Sequence, residues 1–228
     1  MSRPLAASLL AAVALVATGC RDTANSTSTG GNTVSVYSLL PLEGRATTAA
    51  HDIVDGEKLA LQQAGGQVGK ITVNFRSVDT SDNGRVTRGS AAKAARAAAQ
   101  DNSAIAAIGA LGDGEARTEI PLLNEASVAL LSTAPLPASL DDDALYPLGP
   151  RTFSRLTRGA ASPAPALRAV GRRVGPSYAR AFGRPATPDA LLGYAAMRAV
   201  LGAIRAASPH GNDRAAVARE LQRVRPVA

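Results

Sequence analysis

Along residues 33–131, short apolar runs alternate with stretches whose apolar residues recur at helical spacing. Residues 33–40 read as a buried strand bounded by Gly31 and Pro41, and residues 53–64 as a helix that Gly65-Gly66 stops. Residues 70–78 alternate through Ile71, Val73 and Phe75 as a second strand, and the Ala-rich stretch 86–99 reads as a helix entered through the polar turn Thr80 to Gly84. A third strand, 105–108, runs into the loop Gly109 to Gly114. A helix to Asn124 and a fourth strand, 128–131, follow. Strands alternating with helices at this spacing imply βαβ crossovers and an open parallel sheet with helices on both faces, an α/β fold.

From 135 to 165 the pattern gives way to Pro, Gly, Ser and Asp and reads as a linker. Three helices are predicted beyond it, at 166–182, 188–207 and 213–224, making the C-terminal part all-helical. Thr187 followed by Pro188 opens the second and Asn212-Asp213 the third, while Arg219, Arg223 and Arg225 suit the dipole at the last helix's end.

The amino end has a different character. Arg3, the apolar run from Leu5 to Val16 and then Ala17-Thr18-Gly19-Cys20 have the charged, apolar and small-residue regions of a secretory signal, too short to span a membrane. Cys20 is the only cysteine of the 228 residues. It stands where a bacterial lipobox places the residue that is lipidated, although Ala17 occupies the position usually held by Leu; a leftover thiol in an ordinary signal peptide is the alternative. A body without cysteine excludes disulfides and thiolate metal sites. Residues 21–32, rich in Ser, Thr, Asn and Gly, read as a flexible tether between anchor and body.

Composition narrows the possible chemistry. Aromatic residues are 3% of the chain and Trp is absent, so the core is expected to be aliphatic and recognition cannot rest mainly on stacking. Residues 21–150 carry 10 basic and 15 acidic groups, whereas 151–228 carry 14 and 3. The basic part could meet nucleic acid or anionic lipid headgroups. With no interleaved aromatics and no nucleic-acid motif it reads instead as solvated Arg-rich helices, and nucleic acid is not expected as a partner.

In order along the chain come Val34-Ser-Val-Tyr-Ser-Leu-Leu-Pro-Leu-Glu-Gly44, Asp55-Gly56-Glu57, Ala64-Gly65-Gly66, Asp79-Thr-Ser-Asp82, Ala107-Ile-Gly-Ala-Leu-Gly-Asp-Gly114 and Leu123-Asn-Glu-Ala126. In order and spacing this set resembles the first lobe of type I periplasmic solute-binding proteins of the leucine/isoleucine/valine-binding kind, which serve branched-chain amino-acid ABC transporters. Phe182-Gly-Arg-Pro185 and Gly193-Tyr-Ala-Ala196 are similar to a helical segment near the family's C-terminal end. About one domain's worth of chain that the family places between the two matches is missing here. The expected organisation is therefore a signal peptide (1–20), the tether (21–32), a first lobe (33–155) and a helical segment packing on that same lobe (156–228).

The resemblance implies an extracytoplasmic binding protein, held to the cell membrane by its lipid and working with an ABC permease on an amino acid or related solute. The alternative is a single-lobe remnant or protein-interaction module. It also implies a ligand site. The loop with Gly112, Asp113 and Gly114 falls where the family binds the solute carboxylate, Asp113 standing in place of a hydroxyl residue. Ala134, Pro135 and Leu136 fall at the family's contact after the fourth strand, and Ala49 near its aromatic lid. Because none of these retains the donor or the ring, and because Asp113 and Glu115 would repel a carboxylate, branched-chain amino acids are expected to bind poorly and a cationic or uncharged solute to be preferred. The glycines of the loop equally suit a tight turn between strand and helix.

Other chemistry is thinly represented. His51 and His210, the two histidines, lie far apart in polar surroundings. Asp141-Asp142-Asp143 lacks the spaced ligands and turn glycine of a calcium loop and reads as a solvated charge run. Ser132 has no nucleophile elbow. No constellation for an enzyme and no motif for a metal or cofactor is present.

Overall fold

The computed structural model describes residues 27–157 and 165–224. The signal and Cys20 lie outside the described residues, as do the first residues of the tether. The elements in chain order are β1 (Thr33–Leu40), α1 (Thr47–Gln63), β2 (Gln67–Val68), β3 (Ile71–Asp79), β4 (Ser81–Asp82), β5 (Arg85–Val86), α2 (Arg88–Gln100), β6 (Ala104–Gly109), α3 (Asp113–Glu125), β7 (Ala129–Ser132), β8 (Phe153–Arg155), α4 (Pro165–Phe182), α5 (Pro188–Ala206) and α6 (Arg214–Gln222). Six strands form one sheet in the order β2-β3-β1-β6-β7-β8. Its pairings are parallel except for β2, which runs antiparallel to β3.

The sheet is sandwiched because β1 and β6 are apolar on both faces. Val34, Val36, Ile105 and Ile108 pack with Met197, Val200 and Ile204 of α5 and Val217 and Leu221 of α6. Tyr37, Leu39 and Ala107 pack on the other side with Ala94, Ala95 and Ala98 of α2 and Ile120 and Leu123 of α3. The small residues of α2 let that helix lie close to the strands. Helix α5 is pressed against α1 at two glycines: a Cβ at Gly56 would lie 1.9 Å from the Ala190 carbonyl oxygen, and one at Gly193 2.0 Å from that of Ile53.

Several boundaries differ from the sequence-based expectation. Helix α1 begins at Thr47 rather than at 53, because its first turn is polar and carries no apolar period; Thr47 closes it by donating to the Gly44 carbonyl at 2.6 Å. Val86 belongs to β5, and α2 starts only after Thr87, whose hydroxyl forms a capping box with Ser90. The turn before it is a hairpin, β4 with β5, closed by Asn83 and Gly84 at φ of 51° and 72°. Residues 135–165 are not all linker: Phe153–Arg155 adds a parallel edge strand beside β7, too short to show a period of its own. At α5 and α6 the expected caps form, Thr187 accepting from the Ala190 amide and Asp213 from that of Ala216.

Candidate functional site

The chain leaves β1 through α1 to β3 on one side and returns through α2 to β6 on the other. The crossovers therefore diverge between β1 and β6, and a crevice opens beyond the carboxyl ends of these two strands. Gly109 permits their approach, since a Cβ there would lie 2.2 Å from the Leu39 carbonyl oxygen. The next residue, Ala110, holds the left-handed conformation at φ 60°, unusual for a residue with a side chain. The Ser132 hydroxyl fixes this turn by donating to the Ala110 carbonyl at 2.8 Å.

The crevice has a volume of about 520 Å³ and is lined by Pro41, Ala46, Leu111 and Glu115 together with Thr87 and Arg88 at the start of α2. Gly112 and Gly114 line it too. Neither has a positive φ, and an added Cβ at either would meet nothing within 4 Å. The turn therefore does not require glycine at these two positions; their bareness exposes backbone to the crevice.

Glu115 dominates the electrostatics. It is almost wholly buried, Oε1 accepting from the Thr80 hydroxyl at 2.6 Å and Oε2 from the Leu111 amide at 2.8 Å. Burial raises its pKa, and the hydrogen bonds from Thr80 and from the Leu111 and Gly112 amides offset only part of that. The loop amides that would otherwise face an anionic ligand are thus shared with the protein's own carboxyl group. One turn on, Glu119 is buried with neither oxygen hydrogen-bonded among the described residues, and burial, reinforced by the charge of Glu115, pushes its pKa well up. Burial of the Asp79 carboxyl is outweighed by hydrogen bonds from Ser81 and Leu42, which hold it below its usual range.

The sequence-based candidates separate in space. Gly112 and Gly114 share the crevice. Asp113 between them pairs with Arg117 at 3.0 Å, and Arg117 in turn donates to Ser139 at 2.7 Å. Ala49 sits half-buried in the first turn of α1. Ala134, Pro135 and Leu136 form a loop bound back on itself: Ser132 accepts from the Ala134 amide at 3.0 Å, and Arg155 donates to the Leu136 and Pro137 carbonyls at 2.9 and 2.5 Å. Neither Ala49 nor this loop lines the crevice.

Arg155 also pairs with Asp141 at 2.8 Å, as does Arg151 at 3.2 Å, while Asp142 caps the short turn at Asp143–Leu145. Of the Asp triplet, Asp141 is paired with arginine and Asp142 caps a turn, while Asp142 and Asp143 are exposed as a solvated run would be. His51 and His210 are exposed, on α1 and in the α5–α6 turn. Among the described residues no three His, Cys, Asp or Glu side chains gather as a metal site would need. Sequence reasoning missed Arg88, Thr80 and Arg155. Only Arg88, directly after the capping Thr87, carried a signal that could have found it.

No family model matches the chain, and no curated protein does. Solved structures do resemble it. An ABC transporter substrate-binding protein from Sphaerobacter thermophilus aligns with a TM-score of 0.67 at 13% identity, covering 84% of this chain and 86% of that one. A putative branched-chain amino acid ABC transporter protein from Rhodospirillum rubrum gives 0.66 at 14% identity, covering 83% and 88%. A solute-binding protein of an ABC transporter from Rhodopseudomonas palustris BisB5, in complex with 3,4-dihydroxybenzoic acid, gives 0.65 at 11% identity, covering 84% of each chain. These neighbours are type I periplasmic binding proteins, which bind solutes for transport. The likeness is one of fold, and the described sheet with its helices corresponds to one lobe of that architecture.

Proposed function

We propose that this protein is the extracytoplasmic substrate-binding component, or an accessory subunit, of an ABC transporter for amino acids or related small solutes, held to the membrane through Cys20. The observation that carries the reading is the crevice at the divergence of β1 and β6, where Gly112 and Gly114 leave backbone bare without any steric need for glycine. Glu115 in the lining suits a hydrogen-bond donor of the solute, and Arg88 suits an acceptor.

Leucine, isoleucine and valine fit this arrangement poorly. Their carboxylate would compete with Glu115 for the Leu111 amide, and a buried polar group left unpaired costs about 1 to 3 kcal/mol. Among the described residues no second lobe closes over the crevice. Calorimetric titration is expected to give dissociation constants weaker than micromolar for all three; micromolar or tighter binding of any would overturn this exclusion of the three. The second reading, a single lobe that engages a protein instead of a solute, is favoured by the single sheet, with no second lobe over the crevice among the described residues.

A further inference from the structure

We propose that the arginine-lined outer surface of α4 and α5 docks on an anionic phospholipid bilayer, leaving the β1–β6 crevice uncovered. Helix α4 buries Leu167, Val174 and Tyr178 and contains no Asp or Glu. At 100° per residue, Arg172, Arg173 and Arg180 fall on the half opposite that buried stripe, and all three are exposed. On α5, Arg198 and Arg205 are exposed two turns apart, and the helix's one acid, Asp189, lies in its first turn. Arg173 and Arg198 line the same groove between the two helices, so the two sets form one surface. Among the described residues none of these five arginines makes an ion pair with a carboxylate.

The way the chain enters the fold brings one end of the same surface beside the tether. Thr27 is fastened to the start of α6, its hydroxyl donating to Asp213 at 2.6 Å and its carbonyl accepting from the Arg214 amide at 2.9 Å. Asn32 and Arg205 border one pocket. The tether thus arrives beside the C-terminal end of α5, at the amino ends of the strands and away from the crevice. With Cys20 as the anchor, the chain up to Thr27 spans at most about 25 Å, which keeps the Arg205 end of this surface within reach of headgroups.

A protein partner fits less well. Arginine anchors a protein interface together with aromatic and apolar residues that form its core, and among the described residues the exposed large apolar side chains, Val86 and Leu148, belong to other parts of the molecule. Unpaired guanidinium groups spread over two helices match a plane of phosphates. The inference does not depend on whether the crevice binds a solute.

Co-sedimentation of the full chain at low salt tests it, with vesicles of equal parts phosphatidylglycerol and phosphatidylcholine against phosphatidylcholine alone. Every variant keeps the same N-terminal residues, so the ratio between the two vesicle types reads the arginines. The wild type is expected to prefer the anionic vesicles. The triple variant Arg172→Gln, Arg173→Gln, Arg198→Gln should lose about a hundredfold of that preference, while the charge-matched triple Arg85→Gln, Lys93→Gln, Arg96→Gln retains it. Should the first triple not fold, Arg173→Gln and Arg198→Gln singly should each lose about fivefold. An absent preference, equal losses in the two triples, or a wild type that ignores vesicles yet binds an acidic protein would overturn the proposal.

Discussion

Replacing Gly193 with alanine is expected to lower the melting temperature by on the order of 10 °C, from an overpacking cost of about 3 kcal/mol. The new methyl would sit 2.0 Å from the Ile53 carbonyl oxygen, and the reciprocal contact at Gly56 already places Ala190 against α1. Both obstacles are backbone, which cannot rotate away as a side chain would, so α1 and α5 must separate. Neither glycine has a positive φ; what each supplies is room. The contrast is Gly202 on the same helix, where a Cβ meets nothing within 4 Å. Gly202→Ala should be neutral or stabilising by about 0.5 to 1 kcal/mol. Circular-dichroism melts of the two variants check the pair. A Gly193→Ala protein melting within 2 °C or so of the wild type, far below the shift expected, would mean that the helices do not touch as described.

Glu119→Gln is expected to raise stability at pH 8 and flatten its dependence on pH. Burial, then the neighbouring Glu115 charge, pushes the Glu119 carboxyl well above the ordinary value of 4.5. Between the unfolded and folded pKa values the folded state holds a proton that the unfolded chain has released. Stability from this group is therefore full below about pH 4.5 and falls as pH rises through the folded value, by about 1.4 kcal/mol for each unit of separation. Glu57 on α1, wholly buried and raised by the same desolvation, adds to the slope. Melts from pH 5 to 8 should show the wild type losing stability and Glu119→Gln losing less. Identical slopes would mean that Glu119 is not buried as a neutral acid.

The elements legible in the sequence were those whose apolar pattern is strong. β1, β3, β6 and β7 follow their apolar runs, and α5 and α6 start at Thr187 and Asp213 because those side chains cap free amides. Strand β8 was hidden, since three residues have no readable period and pair only because β7 offers an edge. At the candidate site the loop itself was legible, whereas the division of labour between Asp113 and Glu115 was not. Residues two apart on a helix point to different sides, so only one of them can turn into the fold. Glu115 does, because Thr80 and the Leu111 amide wait there, while Asp113 has Arg117 one turn further on. Thr80 is distant in sequence, and only the tertiary structure brings it to Glu115.

The most direct test of the solute-binding account is the melting temperature of the wild type and of Gly114→Phe across a library of amino acids, amides and small organic acids. A phenyl ring at position 114 starts from open space in the crevice wall and should fill the crevice without disturbing the fold. A solute at a hundred times its dissociation constant stabilises the folded state by about 2.7 kcal/mol, a rise on the order of 5 to 10 °C for a chain of this size. The account predicts such a rise for at least one solute with the wild type and none with Gly114→Phe. No rise with any solute, or the same rise in both proteins, would contradict it.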